Sequence, residues 1–453
     1  MTYPLSAIPT NMAGHPHRSA MRLDPYWDGV WQHGSVAQWA SREHLERMER
    51  AGLAGKRPKH LAVDRDVALD RVDQQWQAKL DLLGVLSSWR TVTAEQYAAF
   101  SNRRLADSHV ARALGDMFAL DLIDTGSLWT PGAAGDAATR ARMLRPSASH
   151  AFDQLIKPRM TYTEWVSVTA GEKFLTGGQY DRHNVLTAEL ILRVAEHLPV
   201  ATALGERQSL MRDIAYRATG TDVPPGLVNS QKAGDAVIVR GDGIRIVVET
   251  TASWSKAAEQ KAFLWAEAME RRPLSESGFI VVFVVSDRTN AGRGSRRSLD
   301  AEVRKGISRA VRFRPGTVHN RTAERMFVVD WRDWFPARHE VSDDFLMLSA
   351  QRPSGPAGAW EDVSLFDGTA VRAPQATSSF TAVAHYAAGL RLVPHQLRRG
   401  RQAQNLSDVT LRRFGFKEPP HLVIDPFSGA PRDELTRGYG ATAATKIPER
   451  LVY

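Results

Sequence analysis

Apolar and polar positions along the chain fall into stretches of different period. Trp76, Leu80, Leu83 and Leu86 recur at helical spacing, and Val110, Leu114 and Met117 do so again near Ser108–Leu120. Between them Thr93 stands as the N-cap of a helix opening Ala94-Glu95-Gln96. Leu122-Ile123, the turn-forming Asp124-Thr125-Gly126-Ser127 and Leu128-Trp129-Thr130 then predict a two-stranded ribbon. Further on, helices are expected over Leu186–Leu198, Glu206–Ala218, Lys256–Arg271 and Ser298–Val311. Strands are expected over Ala233–Arg240, Ile244–Thr250, Phe279–Ser286 and Arg325–Asp330. The run Phe279-Ile280-Val281-Val282-Phe283-Val284-Val285 is apolar on both faces, so its strand must be central and covered on each side.

These elements imply a mixed α/β protein in which an initial strand hairpin is followed by helical crossovers. Helices followed by a ribbon over residues 71–131 have the order of a winged helix, whose third helix commonly enters the major groove of DNA. The α/β domain is assigned to 181–340. Residues 1–70 read as an irregular arm with one helix over Gln38–Gly52, followed by a basic connector at Lys56–His60. Residues 132–180, with Gly132-Ala133-Ala134-Gly135, read as a linker with short elements around Tyr162–Val168, and 341–453 as an extended, basic C-terminal appendage.

Composition narrows the chemistry. The chain has 453 residues, 43% hydrophobic and 24% charged, as a soluble globular protein has. No run reaches the apolar length of a membrane span, and no secretory h-region is visible, so a cytoplasmic, membrane-free protein is expected. With no cysteine, disulfides, thiolate zinc sites and cysteine nucleophiles are excluded. A bound metal would take carboxylate, imidazole or carbonyl ligands, which suits Mg²⁺ or Mn²⁺. The net charge of +9 favours a polyanion such as double-stranded DNA. Much of it lies between Arg391 and Lys417, where seven basic residues, Arg398, Arg399 and Arg401 among them, face one acid. Further candidate DNA contacts are Arg103, Arg104 and Arg112 at the third helix. Others are Arg288, Arg293, Arg296 and Arg297, in a loop with Gly292 and Gly294 that precedes a helix N-terminus. A homodimer or a protein partner is also compatible with the sequence.

The hairpin carries the sharpest chemistry. If Gly241-Asp242-Gly243 form its loop, Arg240 pairs with Ile244, Val239 with Arg245, Val237 with Val247 and Asp235 with Glu249. The two carboxylates then oppose each other on one side of the sheet, an unfavourable arrangement unless a raised pKa, a basic neighbour or a cation offsets it. Paired carboxylates at strand ends are what metal-assisted phosphodiester cleavage uses. A two-residue turn at Asp242-Gly243 would instead place them on opposite faces.

The order of helix, hairpin with Asp then Glu, helix, apolar strand, helix and strand resembles the PD-(D/E)xK nuclease fold, the restriction-endonuclease-like α/β class. That resemblance implies that Asp235 and Glu249 carry a metal and the attacking water. Thr251 stands where the motif has lysine, and Gly234 where it has proline. Lys256 and Lys261, on the following helix, are the lysines placed to reach back as catalytic substitutes, and Glu206 is the candidate third metal carboxylate. The layout of a winged helix, His183-Asn184 opening a helix, Glu206, Asp235 and Glu249 is also similar to the replication-relaxation family of plasmids and mobile elements. That similarity implies DNA binding in replication or transfer. His183 by itself reads first as a cap or packing residue. Three readings stay open: a DNA-binding protein with an inactive nuclease-like domain, an active Mg²⁺-dependent endonuclease, and a transcription regulator or assembly factor acting through protein contacts.

Overall fold

The computed structural model describes residues 7–8 and 19–372. Within the second range, residues 33, 54–56, 102–107, 130–141, 161, 171, 178–180, 201, 217–221, 241, 243, 288–297 and 355–357 are left out. The chain forms a mixed α/β structure around one large sheet.

In chain order the first half contains strands β1 (Ala7–Ile8) and β2 (Val36–Ala40) and helices α1 (Arg42–Arg50), α2 (Arg65–Asp70) and α3 (Trp76–Trp89). Strand β3 (Val92–Thr93), helices α4 (Ala94–Ser101) and α5 (Ser108–Ala119), strands β4 (Ile123–Trp129) and β5 (Arg142–Pro146) and helix α6 (Tyr162–Thr169) follow. The small sheet runs β2-β4-β5-β3.

Three expectations are corrected here. The helix expected from Gln38 begins only after Ser41, whose hydroxyl caps it by accepting from the His44 N–H, because Val36–Ala40 pairs with β4. Asp124–Ser127 is not a turn but part of β4, paired with β5 throughout and with β2 from Thr125 on, with Thr125 opposite Ala40 and Leu144. Turn propensity loses there because Asp124 binds Arg145 (3.1 Å) and the Trp39 ring lies over Gly126, where a Cβ would sit 2.6 Å from it. Nor do the described residues of 132–180 form a linker: β5 completes the small sheet, and α6 packs on α3 through Glu164, which accepts from the Trp76 indole (3.0 Å).

The second half opens with α7 (Asp181–His197), β6 (Thr202–Gly205), α8 (Met211–Ala215) and α9 (Pro225–Val228). The expected helix Glu206–Ala218 is therefore a 3₁₀ turn at Glu206–Gln208 and then α8. Next come β7 (Ala236–Val239), β8 (Arg245–Thr251), α10 (Lys256–Arg271), α11 (Leu274–Ser277), β9 (Phe279–Val285), α12 (Leu299–Phe313), β10 (Gly316–Thr317), β11 (Asn320–Arg321) and β12 (Met326–Asp330). The described chain closes with α13 (Trp331–Trp334), α14 (Asp343–Leu346), β13 (Ser349–Pro353) and β14 (Trp360–Ser364). The large sheet has eight strands in the order β1-β6-β7-β8-β9-β12-β13-β14. Strands β8, β9 and β12 are parallel, and the remaining pairings are antiparallel. The sheet thus runs past residue 340, because β13 and β14 continue its edge.

Strand period divides the core. Ile246, Val248, Ile280, Val282 and Val284 face α7 and the N-terminal half, whereas Val247, Val281, Phe283 and Val285 face α10 and α12. β9 is buried on both faces, as its apolar run requires. One hydrophobic cluster runs from Tyr26 through α3, α4 and α7 to Val371, so the N-terminal half and the sheet share a core. The segment before β2 is not a free arm. Arg22 pairs with Glu189 (3.0 Å) and also with Glu196, while Arg193 binds Asp24 (2.8 Å) and Glu189 (3.2 Å), all buried. The Tyr26 hydroxyl and the Trp31 indole donate to the carbonyls of Asp287 and Ser286, each at 2.8 Å. Among the described residues no helix is long and apolar enough to cross a membrane.

Candidate active site

The register of β7 and β8 places the two carboxylates. Val239 pairs with Arg245, Val237 with Val247 and Ala236 with Val248, and the Arg240 N–H donates to Ile244 (2.8 Å). Asp235 extends the ladder by donating its N–H to the Val248 carbonyl (2.9 Å), which sets it beside Glu249. Gly241 and Gly243 lie outside the described residues; Asp242 caps the loop by accepting from Ile244 N (3.3 Å) and binding Arg240.

The expected departures from the nuclease motif have local causes. Gly234 donates its N–H to Ser209 (2.9 Å), and a Cβ there would lie 2.4 Å from Val247 Cγ1. A proline would lose the donor and collide with the neighbouring strand. Thr251 is buried at the end of β8, its hydroxyl donating to the Glu249 carbonyl (3.3 Å).

The ammonium comes from α10 instead. Ser255 caps this helix by accepting from Ala258 N (3.2 Å). Lys261 and Trp265, four residues apart, share the helix face that packs on β8. Lys261 Nζ lies 2.5 Å from Glu249 Oε2 and 3.9 Å from Asp235 Oδ1. Trp265 Nε1 donates to the other Glu249 oxygen (2.7 Å). Lys256 opens the same helix five residues before Lys261, about 140° round the axis, and is exposed. Among the described residues no ion pair joins it to either carboxylate.

Helix α7 closes the opposite side. His183 Nε2 lies 3.1 Å from Asp235 Oδ2, which also accepts from Thr250 N (2.7 Å). One turn on, Thr187 and Thr250 share a hydroxyl hydrogen bond of 2.9 Å. His183 thus belongs to the constellation through its contact with Asp235. Glu206 stands in the turn after β6, close enough for its charge to favour protonation of both Lys261 and His183. Among the described residues no three His, Asp or Glu side chains are grouped to hold a metal, so Glu206 does not complete a carboxylate triplet.

These contacts set the charges. Burial disfavours ionisation of Asp235, but His183, Lys261 and the Thr250 N–H outweigh it and hold the carboxyl down at about 2. Burial pushes Glu249 up to about 7, reinforced by Asp235 and opposed by Lys261 and Trp265. Burial disfavours the charged form of Lys261 and of His183, yet the neighbouring carboxylates raise both.

No family model, curated protein or solved structure matches this chain.

The site's chemistry therefore rests on its geometry. Mg²⁺ or Mn²⁺ is often held by one or two carboxylates, with waters and substrate phosphate completing the shell. Asp235 and Glu249 fit that donor set, and bound there the ion would supply a polarised phosphate and an acidified water. Lys261 already lies against the Glu249 oxygen, so cation and ammonium share one locus.

The residues expected to touch DNA are mostly beyond description. Arg103, Arg104, Arg288, Arg293, Arg296, Arg297, Arg398, Arg399 and Arg401 fall outside the described residues. Arg112 is exposed on α5, the third helix of the expected groove reader. Around Gly115 that helix packs against the 3₁₀ turn Lys59–Leu61, where a Cβ would meet the His60 carbonyl at 2.2 Å. Its N-terminal turn, with His109 and Arg112, is the open part. Trp254, just past β8, lies against Gly306 of α12 and packs edge-on to Phe283. Trp265 holds Glu249 as well; its spacing of four from Lys261 was the available signal.

Proposed function

We propose that this chain acts on DNA, and that Asp235, Glu249 and Lys261 form a metal-dependent phosphodiester-cleaving site. The observation that carries the reading is the position of Lys261: an ammonium 2.5 Å from Glu249 replaces the lysine missing at Thr251. Asp235, ionised, and Glu249 would hold the cation. Lys261 would orient the attacking water and offset charge at the phosphate. Support for DNA as the polymer comes from the basic excess and from the helix-and-ribbon order of the N-terminal half. The resemblance to the replication-relaxation family would place this activity in plasmid or mobile-element replication or transfer.

The second reading is DNA binding without cleavage. It is favoured by the same contact, since Lys261 already neutralises the carboxylates without a metal. Purified full-length protein, incubated with supercoiled plasmid and Mg²⁺ or Mn²⁺, separates the two. Nicking that falls roughly a hundredfold or more in both Asp235→Ala and Lys261→Ala is the expected result. Plasmid that stays supercoiled yet shifts in a gel, with a binding constant that falls steeply with salt, supports the second reading.

A further inference from the structure

A cleft of about 510 Å³ opens beside the acidic site. Trp31, Ala37, Asp181, Arg182, His183 and Ser253 line it, from the N-terminal segment, β2, the first turn of α7 and the chain just past β8. Its volume is that of a site for a small molecule or one unit of a polymer. Two of its lining side chains are tied to backbone carbonyls. The Trp31 indole is anchored to Ser286 (2.8 Å), and Arg182 to the Gln32 carbonyl (3.0 Å). Among the described lining residues the one carboxylate, Asp181, is occupied: it accepts from Trp39 Nε1 (2.8 Å) and Thr91 Oγ1 (2.7 Å), with Arg145 at 3.6 Å. The basic groups lining the cleft are Arg182, which also donates to Gln32, and His183, which also contacts Asp235.

His183 connects the cleft to the chemistry. It lines the cleft and also contacts Asp235, so whatever fills the cleft lies one side chain from the carboxylate pair. From this juxtaposition we infer that the cleft holds a single unpaired nucleotide of a DNA strand, next to the phosphate presented to Asp235 and Glu249, with His183 contacting the backbone. The inference rests on the proposed function, and it adds an unpaired strand as the form of substrate at the site. An occupant of another class, such as a free metabolite, would leave oligonucleotide binding independent of the cleft.

The test uses the full chain with a fluorescein-labelled thymidine hexanucleotide in chelator, read by anisotropy, alongside plasmid nicking in Mg²⁺. Ser253 is exposed, so Ser253→Trp fills the cleft mouth without burying a new group. Ala37→Trp fills it from β2. Each filling variant is expected to weaken hexanucleotide binding roughly tenfold or more, the loss of one base contact. If Ser253→Trp melts like wild type and binds the hexanucleotide equally well, the cleft assignment is overturned, whatever the plasmid does. If hexanucleotide binding depends on the cleft but no preparation nicks plasmid, the cleft stands and the cleavage reading falls. No hexanucleotide binding by wild type overturns the cleft while leaving nicking to be judged by itself.

Discussion

At Glu249 three side chains decide one proton. Burial and Asp235 favour the neutral acid, whereas Lys261 and the Trp265 indole favour the carboxylate, and the balance lies at about 7. At subsaturating Mg²⁺, where the cation competes with the Glu249 proton, activity should rise as pH rises through that value. Trp265→Phe removes a donor that favours the ionised form, so the rising limb of the pH–rate profile should move to higher pH; an unmoved limb would assign it to another group. Gly234 is a packing position. Gly234→Ala should cost about 1–3 kcal/mol in denaturant unfolding, because the added methyl meets Val247 Cγ1 on the neighbouring strand. Sequence made the opposition of Asp235 and Glu249 legible, since strand period and turn length fix it. It left Lys256 and Lys261 equivalent, because only the phase of α10 against β8 separates them. It missed Trp265, since an indole at a helix face reads as core until its partner is a carboxylate.

Elements show the same division between local signal and long-range pairing. α10 was legible from its period and is fixed at its start by Ser255. Ser255→Ala should lower stability by about 1 kcal/mol, measured by chemical denaturation, and an unchanged midpoint would mean that the cap contributes nothing. β9 was legible too, from its unbroken apolar run. What failed was the small sheet. Asp124–Ser127 has the composition of a turn, and only the strands lying on each side of it, β2 from far upstream and β5 from downstream, hold it extended. The boundary near residue 340 failed for a related reason: β13 and β14 are short, and their membership of the sheet comes from pairing with β12.

Across the whole molecule, the shared core predicts that the helical half and the sheet unfold together. A single thermal transition, coincident by far-UV and aromatic probes, is the expected observation, and two separated transitions would contradict it. Arg193→Leu should destabilise the fold by roughly 3–5 kcal/mol, since Asp24 would stay buried without its cation and Glu189 would keep only Arg22. The anchoring of Trp31 on Ser286 has a temporal side. The two residues are 255 positions apart, so during synthesis the early aromatic segment waits for most of the chain before its partner exists. A chain released early, after Lys261 but before Ser286, would contain Asp235, Glu249 and Lys261 and still lack the backbone that fixes one wall of the cleft. Completion of the sheet would then act as a licence: truncated or nascent copies could carry the reactive groups without a means of holding a strand against them.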